Sequence, residues 1–316
     1  MANCDNLFKE FCEELCITDS KKRKMLTSKN NLRDVIKREF KAKHEGYTPT
    51  FYTQGSYKLG TCIRTEDDKC DVDDGIYFKS NPDDVTGTTL QSWVLDAVNG
   101  VTDAMPTHKK KCIRVNYTSG YNIDLPVMIF DKDVDKHPML AVKGKDFQED
   151  DPKEFTEYYR KKKKELGSEQ VSRMVKYLKA WCDYKKEDMP SGLAMTVLTL
   201  NHFMVNNRDD VALKFLLIEI EKQIKEKFEC KMPTTPQDNL FEGYSDAKER
   251  NFKDNLSKFI EDAKKAIDES NQLKASKLWR KHLGERFPYG KDENEKKESA
   301  SLLRPIAGSA KPYYNE

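Results

Sequence analysis

The stretch Asp71-Val72-Asp73-Asp74-Gly75-Ile76-Tyr77-Phe78 decides how this 316-residue chain is read. Its polar and apolar residues alternate and then give way to an apolar run, the pattern of a β-strand entering a core. On a strand, residues two apart project to the same face, so Asp71 and Asp73 stand side by side. Two carboxylates in that position repel unless a cation sits between them, and hard oxygen ligands at this spacing suit Mg2+. An Asp-x-Asp pair is also compatible with a solvated strand edge, so the surroundings must decide.

Upstream, Phe51-Tyr52-Thr53 is strand-like and runs into Gln54-Gly55-Ser56, a predicted strand-to-helix turn. A glycine there lets backbone N–H groups approach a phosphate, and the serine hydroxyl adds a donor. By itself the dipeptide reads as an ordinary turn. Downstream, Ile113–Tyr117 and Tyr121–Phe130 form a predicted hairpin-like pair around Thr118-Ser119-Gly120. Asp124 lies inside the second of these strands, where an unpaired carboxylate is costly to bury. Its alternative reading is a salt-bridged core carboxylate. Taken together, three carboxylates on adjacent strands beside a phosphate-holding turn describe a two-metal phosphoryl-transfer site. Asp71, Asp73 and Asp124 are the candidate catalytic and metal-binding residues. Arg114 and Tyr117, on the strand before Asp124, either reach a base or phosphate or are ordinary strand residues.

Around this sheet-rich segment, from about residue 50 to 135, the chain is helical. Leu7, Phe8, Phe11 and Leu15 recur every three to four residues, and Thr18-Asp19-Ser20 can cap a second helix carrying Met25, Leu32, Ile36 and Phe40. Further helices are predicted over 168–184, 191–205, 211–228, 246–269 and 271–283. The Lys/Glu/Ser-rich stretch from Gly290 onward is expected to be a mobile tail.

Composition narrows the function. The 56 basic and 54 acidic side chains leave a net charge of +2, which excludes a polycation that binds nucleic acid through bulk charge. Lys21-Lys22-Arg23-Lys24 and Lys161-Lys162-Lys163-Lys164 read as solvated helix faces. The longest apolar stretches fall far short of the roughly 20 residues of a spanning helix. No basic start followed by an apolar core opens the chain, and its eight cysteines form no Cys-x-x-Cys. A cytoplasmic protein with reduced thiols is expected. Cys12 and Cys16 share a helix face, and idle or buried thiols are the expected reading.

Thr53-Gln54-Gly55-Ser56, then Asp71-Val72-Asp73-Asp74-Gly75, then Asn122-Ile123-Asp124-Leu125-Pro126 resembles the polymerase-β-like nucleotidyltransferases. More narrowly, the set resembles the bacterial cGAS/DncV-like enzymes (CD-NTases), which make cyclic oligonucleotides in CBASS anti-phage defence. Tyr177–Tyr184 is similar to that family's Lys-bearing spine helix, and Met189–Ala194 to its Pro-Ser helix start. Trp279–Gly284 with Arg286-Phe287-Pro288 is similar to its closing helix.

The resemblance implies an α+β fold, with a polymerase-β-like nucleotidyltransferase core of mixed sheet and helices packed on a C-terminal α-helical domain. The expected division is 1–165 for the core with N-terminal spine helices, 166–288 for a helical substrate-binding domain, and 289–316 for a flexible tail. By the same carry-over Gly55 and Ser56 hold the β/γ phosphates, with Gln54 positioning them. Asp71, Asp73 and Asp124 hold Mg2+ or Mn2+, and Lys179 and Ser191 reach the donor triphosphate. A flexible point charge at Lys179 suits a polyphosphate, and Ser191 also reads as a helix cap.

The implied activity is template-independent synthesis of a cyclic oligonucleotide second messenger from NTPs, with pyrophosphate released. Asp74-Gly75 resembles the branch that makes cyclic GMP-AMP, so a cyclic dinucleotide from ATP and GTP is expected. A cyclic-nucleotide-activated effector and a regulatory partner are the expected associates, with no membrane and no obligatory nucleic acid. The rivals are a nucleotidyltransferase making linear products or extending RNA, and a non-catalytic nucleic-acid sensor.

Overall fold

A computed structural model describes residues 1–292 of the chain. The elements run α1 (Asp5–Glu14), α2 (Asp19–Lys43), β1 (Thr50–Gln54), α3 (Gly55–Leu59), β2 (Cys70–Phe78), α4 (Gly87–Val98), β3 (Thr107–His108), β4 (Ile113–Tyr117), β5 (Tyr121–Leu125), β6 (Val127–Ile129), β7 (Met139–Ala141) and β8 (Phe147–Glu149). Helices complete the chain: α5 (Pro152–Leu166), α6 (Gln170–Lys185), α7 (Gly192–His202), α8 (Asp209–Glu226), α9 (Asp246–Asp268) and α10 (Gln272–Leu283). The expected α+β class is what the chain adopts.

The sheet has β2 at its centre. Its first half pairs parallel with β5, its second half parallel with β6, and β1 lies antiparallel beside it. β5 and β6 are two pieces of what the sequence presents as a single strand, Tyr121–Phe130. Pro126 divides them because it has no N–H to give to the ladder, although its carbonyl still accepts from Ile76 N–H at 2.8 Å. β4 pairs antiparallel with β5, closed by the expected turn between Tyr117 and Tyr121. The order is β3-β4-β5-β2-β6-β7-β8, with β1 off this path. The two- and three-residue strands β3, β7 and β8 are too short to show alternation and were not anticipated.

Two apolar cores lie on either side of the chemistry. Met25, Leu32, Ile36 and Phe40 of α2 are buried against Val72, Ile76, Ile113, Ile123 and Val127 of the sheet. The larger core joins α6 to α10 and also takes in Leu7, Phe8, Phe11 and Leu15 of α1 and Phe155 and Tyr159 of α5. The two N-terminal helices therefore part company: α2 packs on the sheet, and α1 packs in the helical core. Each fully buried Leu or Phe removes about 1.5–3 kcal/mol worth of apolar surface from water.

The helix starts follow from capping chemistry. Thr18 accepts from Lys21 N–H, Asp151 from Lys153 and Glu154 N–H, and Ser191 from Ala194 N–H. A salt-bridged carboxylate, Asp209, ties α8 to α6 through Arg173 at 2.6 and 2.8 Å, Gln170 at 2.7 Å and Tyr177 at 2.8 Å.

Among the described residues no helix is long and apolar enough to cross a membrane. All eight cysteines are free thiols. The expected tail lies outside the described residues from 293 onward.

Candidate active site

Register places the carboxylates. In the parallel β2–β5 pair Asp71 lies beside Asn122 and Asp73 beside Asp124. Asp71 and Asp73 share a face because they are two apart, so the three aspartates line one face of two adjacent strands. In the antiparallel β4–β5 pair Arg114 lies opposite Asp124. Its guanidinium donates from Nε to Asp124 Oδ1 at 2.7 Å and from Nη2 to Asp124 Oδ2 at 2.7 Å and Asp71 Oδ2 at 2.8 Å. Asn122 Nδ2 donates to the other Asp71 oxygen at 2.9 Å. Arg114 is thus neither a base reader in this structure nor an ordinary strand residue. Tyr117 instead stacks on Tyr121 with ring centroids 4.8 Å apart.

The middle carboxylate is treated differently. Among the described residues no donor hydrogen-bonds Asp73. Burial, reinforced by the charges of Asp124 and Asp71, pushes its carboxyl up from 3.8 to about 7. β1 runs antiparallel to β2 with Gln54 beside Asp73, which brings the Gly-Ser turn over that carboxylate. Gly55 has φ of +63°, and a Cβ there would lie 2.0 Å from Asp73 Oδ2, so only glycine fits. Gln54 is buried and accepts a hydrogen bond from Tyr77 at 3.2 Å.

From the helical side, Lys179 of α6 donates to the Thr61 carbonyl at 3.2 Å and hydroxyl at 3.3 Å. Burial lowers its ammonium from 10.5 to about 8, with Cys62 and Asp73 pulling the other way. Gly192 makes room for it: a Cβ there would lie 3.1 Å from Lys179 Cε.

Two cavities flank these residues and share Ser56, Lys179 and Gly192. One, of about 430 Å³, is also lined by Gln54, Gly55, Asp73, Lys111, Asp150 and Phe155. The other, of about 530 Å³, is also lined by Asp71, Arg114, Asn122, Lys69 and Lys186. Of the residues singled out from sequence, Gln54, Gly55, Ser56, Asp71, Asp73 and Lys179 line one or both cavities. Asp124 sits behind Arg114. Ser191 is the exposed cap of α7 and its neighbour Gly192 does the lining.

Asp74 points away from the cleft: it is fully buried on the opposite face, held by Arg33 at 2.6 and 2.5 Å and by Thr53 at 2.8 Å. One sequence reading is changed: Lys21 is not part of a solvated run but is 9% exposed and paired with Asp68 at 2.8 Å. Asn122 was missed, although it stands two residues before Asp124 on the same face.

The donor set fits a divalent cation. It consists of hard carboxylate oxygens, with one member lacking any donor and two neutralised by a cationic side chain. These oxygens do not converge: among the described residues, the one set of three His, Cys, Asp or Glu ligand atoms within 4.8 Å of one another is that of His137, Asp151 and Glu154. Arg114 occupies the space between Asp71 and Asp124.

A mixed sheet with paired aspartates beneath a glycine turn, completed by a lysine from a helical half, defines a nucleotidyltransferase fold. Residues 49–128 match the family described as "Cyclic GMP-AMP synthase DncV-like, nucleotidyltransferase domain", so the chain carries a DncV-like nucleotidyltransferase domain. It is similar in structure to the Vibrio cholerae DncV cyclic AMP-GMP synthase, a prokaryotic cGAS homologue. That match has 16% identity and a TM-score of 0.79 over 90% of this chain and 97% of that one. DncV in complex with the linear intermediate 5′ pppA(3′,5′)pG gives 18% identity, a TM-score of 0.76, and 89% and 97% coverage. The E. coli MS115-1 CdnC in its complex with HORMA-deltaN gives 13% identity, a TM-score of 0.70, and 90% and 98% coverage. At these identities the likeness is one of fold.

Proposed function

We propose that this protein is a template-independent nucleotidyltransferase that joins ATP and GTP into a cyclic dinucleotide such as cyclic GMP-AMP. The observation that carries the reading is the position of Asp73, under Gly55 in the first cavity, beside the Ser56 and Lys179 that this cavity shares with the second. Two cavities sharing one set of phosphate-facing groups suit a reaction that brings two triphosphates together. The DncV complex with pppA(3′,5′)pG lends the same direction to a chain of this fold.

In this reading Gly55, Ser56 and Lys179 hold the donor triphosphate, with Gln54 fixing the turn and Ser191 fixing the start of α7. Asp71, Asp73 and Asp124 hold Mg2+ or Mn2+, which when bound lowers the pKa of an attacking hydroxyl and screens the triphosphate. The hydroxyl oxygen of one nucleotide attacks the α-phosphorus of the other. The bond to the β-phosphate breaks, pyrophosphate leaves, and the hydroxyl proton passes to a carboxylate of the triad. The linear intermediate then rebinds with its own triphosphate over Gly55, and a second attack closes the ring.

We divide the chain at the cleft, into a core of 1–165 and a helical substrate-binding part of 166–288, with α1 packed on the latter. The product is assigned to CBASS anti-phage signalling in the bacterial cytoplasm, acting on a separate effector. The complex formed by CdnC supports a regulatory protein partner for this chain as well. The test is incubation of the purified protein with labelled NTPs and Mg2+ followed by phosphatase. A phosphatase-resistant labelled product supports the reading, and only linear, phosphatase-sensitive products contradict it.

A further inference from the structure

We infer that Arg114 is the built-in counter-ion of the aspartate triad and that divalent cations compete with it for Asp71 and Asp124. The inference rests on the metal-dependent reading of the site above.

Every oxygen of the two outer carboxylates is engaged by the protein itself. Arg114 takes both oxygens of Asp124 and one of Asp71, and Asn122 takes the other. The arrangement is fixed by the backbone, because Arg114 and Asp124 are register partners across one strand pair and Asp71 and Asn122 across the next. A planar guanidinium presents two parallel donors, matches a carboxylate bidentately, and is never deprotonated in a protein. Asp124 and Asp71 bind it more tightly still, holding its pKa well above the usual value. The remaining cations lie further off: Lys109 Nζ is 3.9 Å from Asp124 Oδ2, and Lys179 bonds to Thr61.

A single +1 side chain therefore does for Asp71 and Asp124 what a metal would do for all three aspartates. A dication brought to these carboxylates meets the guanidinium at close range, and in a partly buried site that repulsion is poorly screened. Arg114 must give up at least Asp71. It lines the second cavity together with Lys69, Lys179 and Lys186 and with Asp67 and Asp183, so a guanidinium released from Asp71 faces a cavity lined by charges of both signs. One residue thus links cation binding at the triad to the charge of the cavity beside it.

The test is Mn2+ binding without nucleotide, read from the electron paramagnetic resonance signal of free Mn2+, in wild type, R114Q, R114K and D73N. Removing the competing charge is expected to tighten Mn2+ binding in R114Q by at least about tenfold. R114K, which keeps the charge but loses the fork, should fall between R114Q and wild type. Equal or weaker binding by R114Q overturns the inference. D73N separates the two claims. If D73N loses the Mn2+ that wild type binds, a failure of R114Q to tighten it counts against Arg114 alone. If D73N binds as wild type does, the triad is not the metal site and both readings fall. A measurement on wild type needs no variant to fold: the Arg114 Nε–H resonance should shift or broaden as Mg2+ is added. An unmoved resonance at saturating Mg2+ contradicts competition.

Discussion

A Cβ on Gly55 would lie 2.0 Å from Oδ2 of Asp73. This one approach joins the turn that precedes α3 to the carboxylate in the middle of the triad, and it explains why glycine is needed twice over, for space and for a φ of +63°. Gly55→Ala should cost about 1–2 kcal/mol for the left-handed backbone. It should also displace Asp73 and lower turnover by roughly 100-fold. Urea denaturation and NTP turnover on the same preparation check both. Wild-type turnover in Gly55→Ala would mean that the turn does not position the reacting groups.

Asp71→Ala and Asp73→Asn should each lower product formation by roughly 1,000-fold or more, the scale of losing a main electrostatic stabiliser. Circular dichroism should stay at the wild-type level, because neither carboxylate lies in an apolar core. Asp71→Ala leaves Arg114 its two bonds to Asp124. A folded Asp73→Asn variant with full turnover would remove Asp73 from the reaction.

The raised pKa of Asp73 makes stability depend on pH in a definite direction. Burial and the neighbouring carboxylates push this group from 3.8 to about 7. Between those values the folded chain keeps a proton that the unfolded chain has released. Its contribution to stability therefore declines as pH rises through that window and is least favourable above it. Asp73→Asn removes this titration, so its Tm should gain on wild type between pH 5 and pH 8 by roughly 3 °C or more without added divalent cation. A constant difference across that range would contradict the burial of a charged Asp73.

Asp74 and Arg33 offer a contrast on the other face of β2. Asp74 is wholly buried, and Arg33 and Thr53 satisfy it. Arg33→Met leaves that carboxylate unpaired and should cost about 3 kcal/mol. The ratio of nucleotides in the product should not change, because Asp74 does not reach either cavity. An altered ratio at unchanged stability would make Asp74 a specificity residue after all.

The legibility of this chain follows the physics of each signal. Strand alternation in Asp71–Phe78 and the lone carboxylate in Tyr121–Leu125 both depend only on which face a residue takes, and a period of two reveals that directly. The helical faces of α1, α2 and α6 were legible for the same reason, with Leu7, Ile36 and Leu178 all buried as their spacing implies. What stayed hidden depends on contacts between distant segments. The role of Arg114 needs the register of β4 on β5, and the burial of Lys21 needs Asp68, 47 residues away. Asp74 looked like its neighbours in the aspartate run, yet the same alternation that aims Asp73 into the cleft turns Asp74 into the core. The packing of α1 on the helical half, away from α2, could not be read from two similar amphipathic patterns.

The most direct test of the account is the intact mass of what the purified protein makes from ATP and GTP with Mg2+. The account predicts a species in which both nucleotides have lost pyrophosphate, unchanged by phosphatase and absent with Asp73→Asn. A product that stops at a linear dinucleotide still carrying its triphosphate, or no product that depends on Asp73, would contradict it.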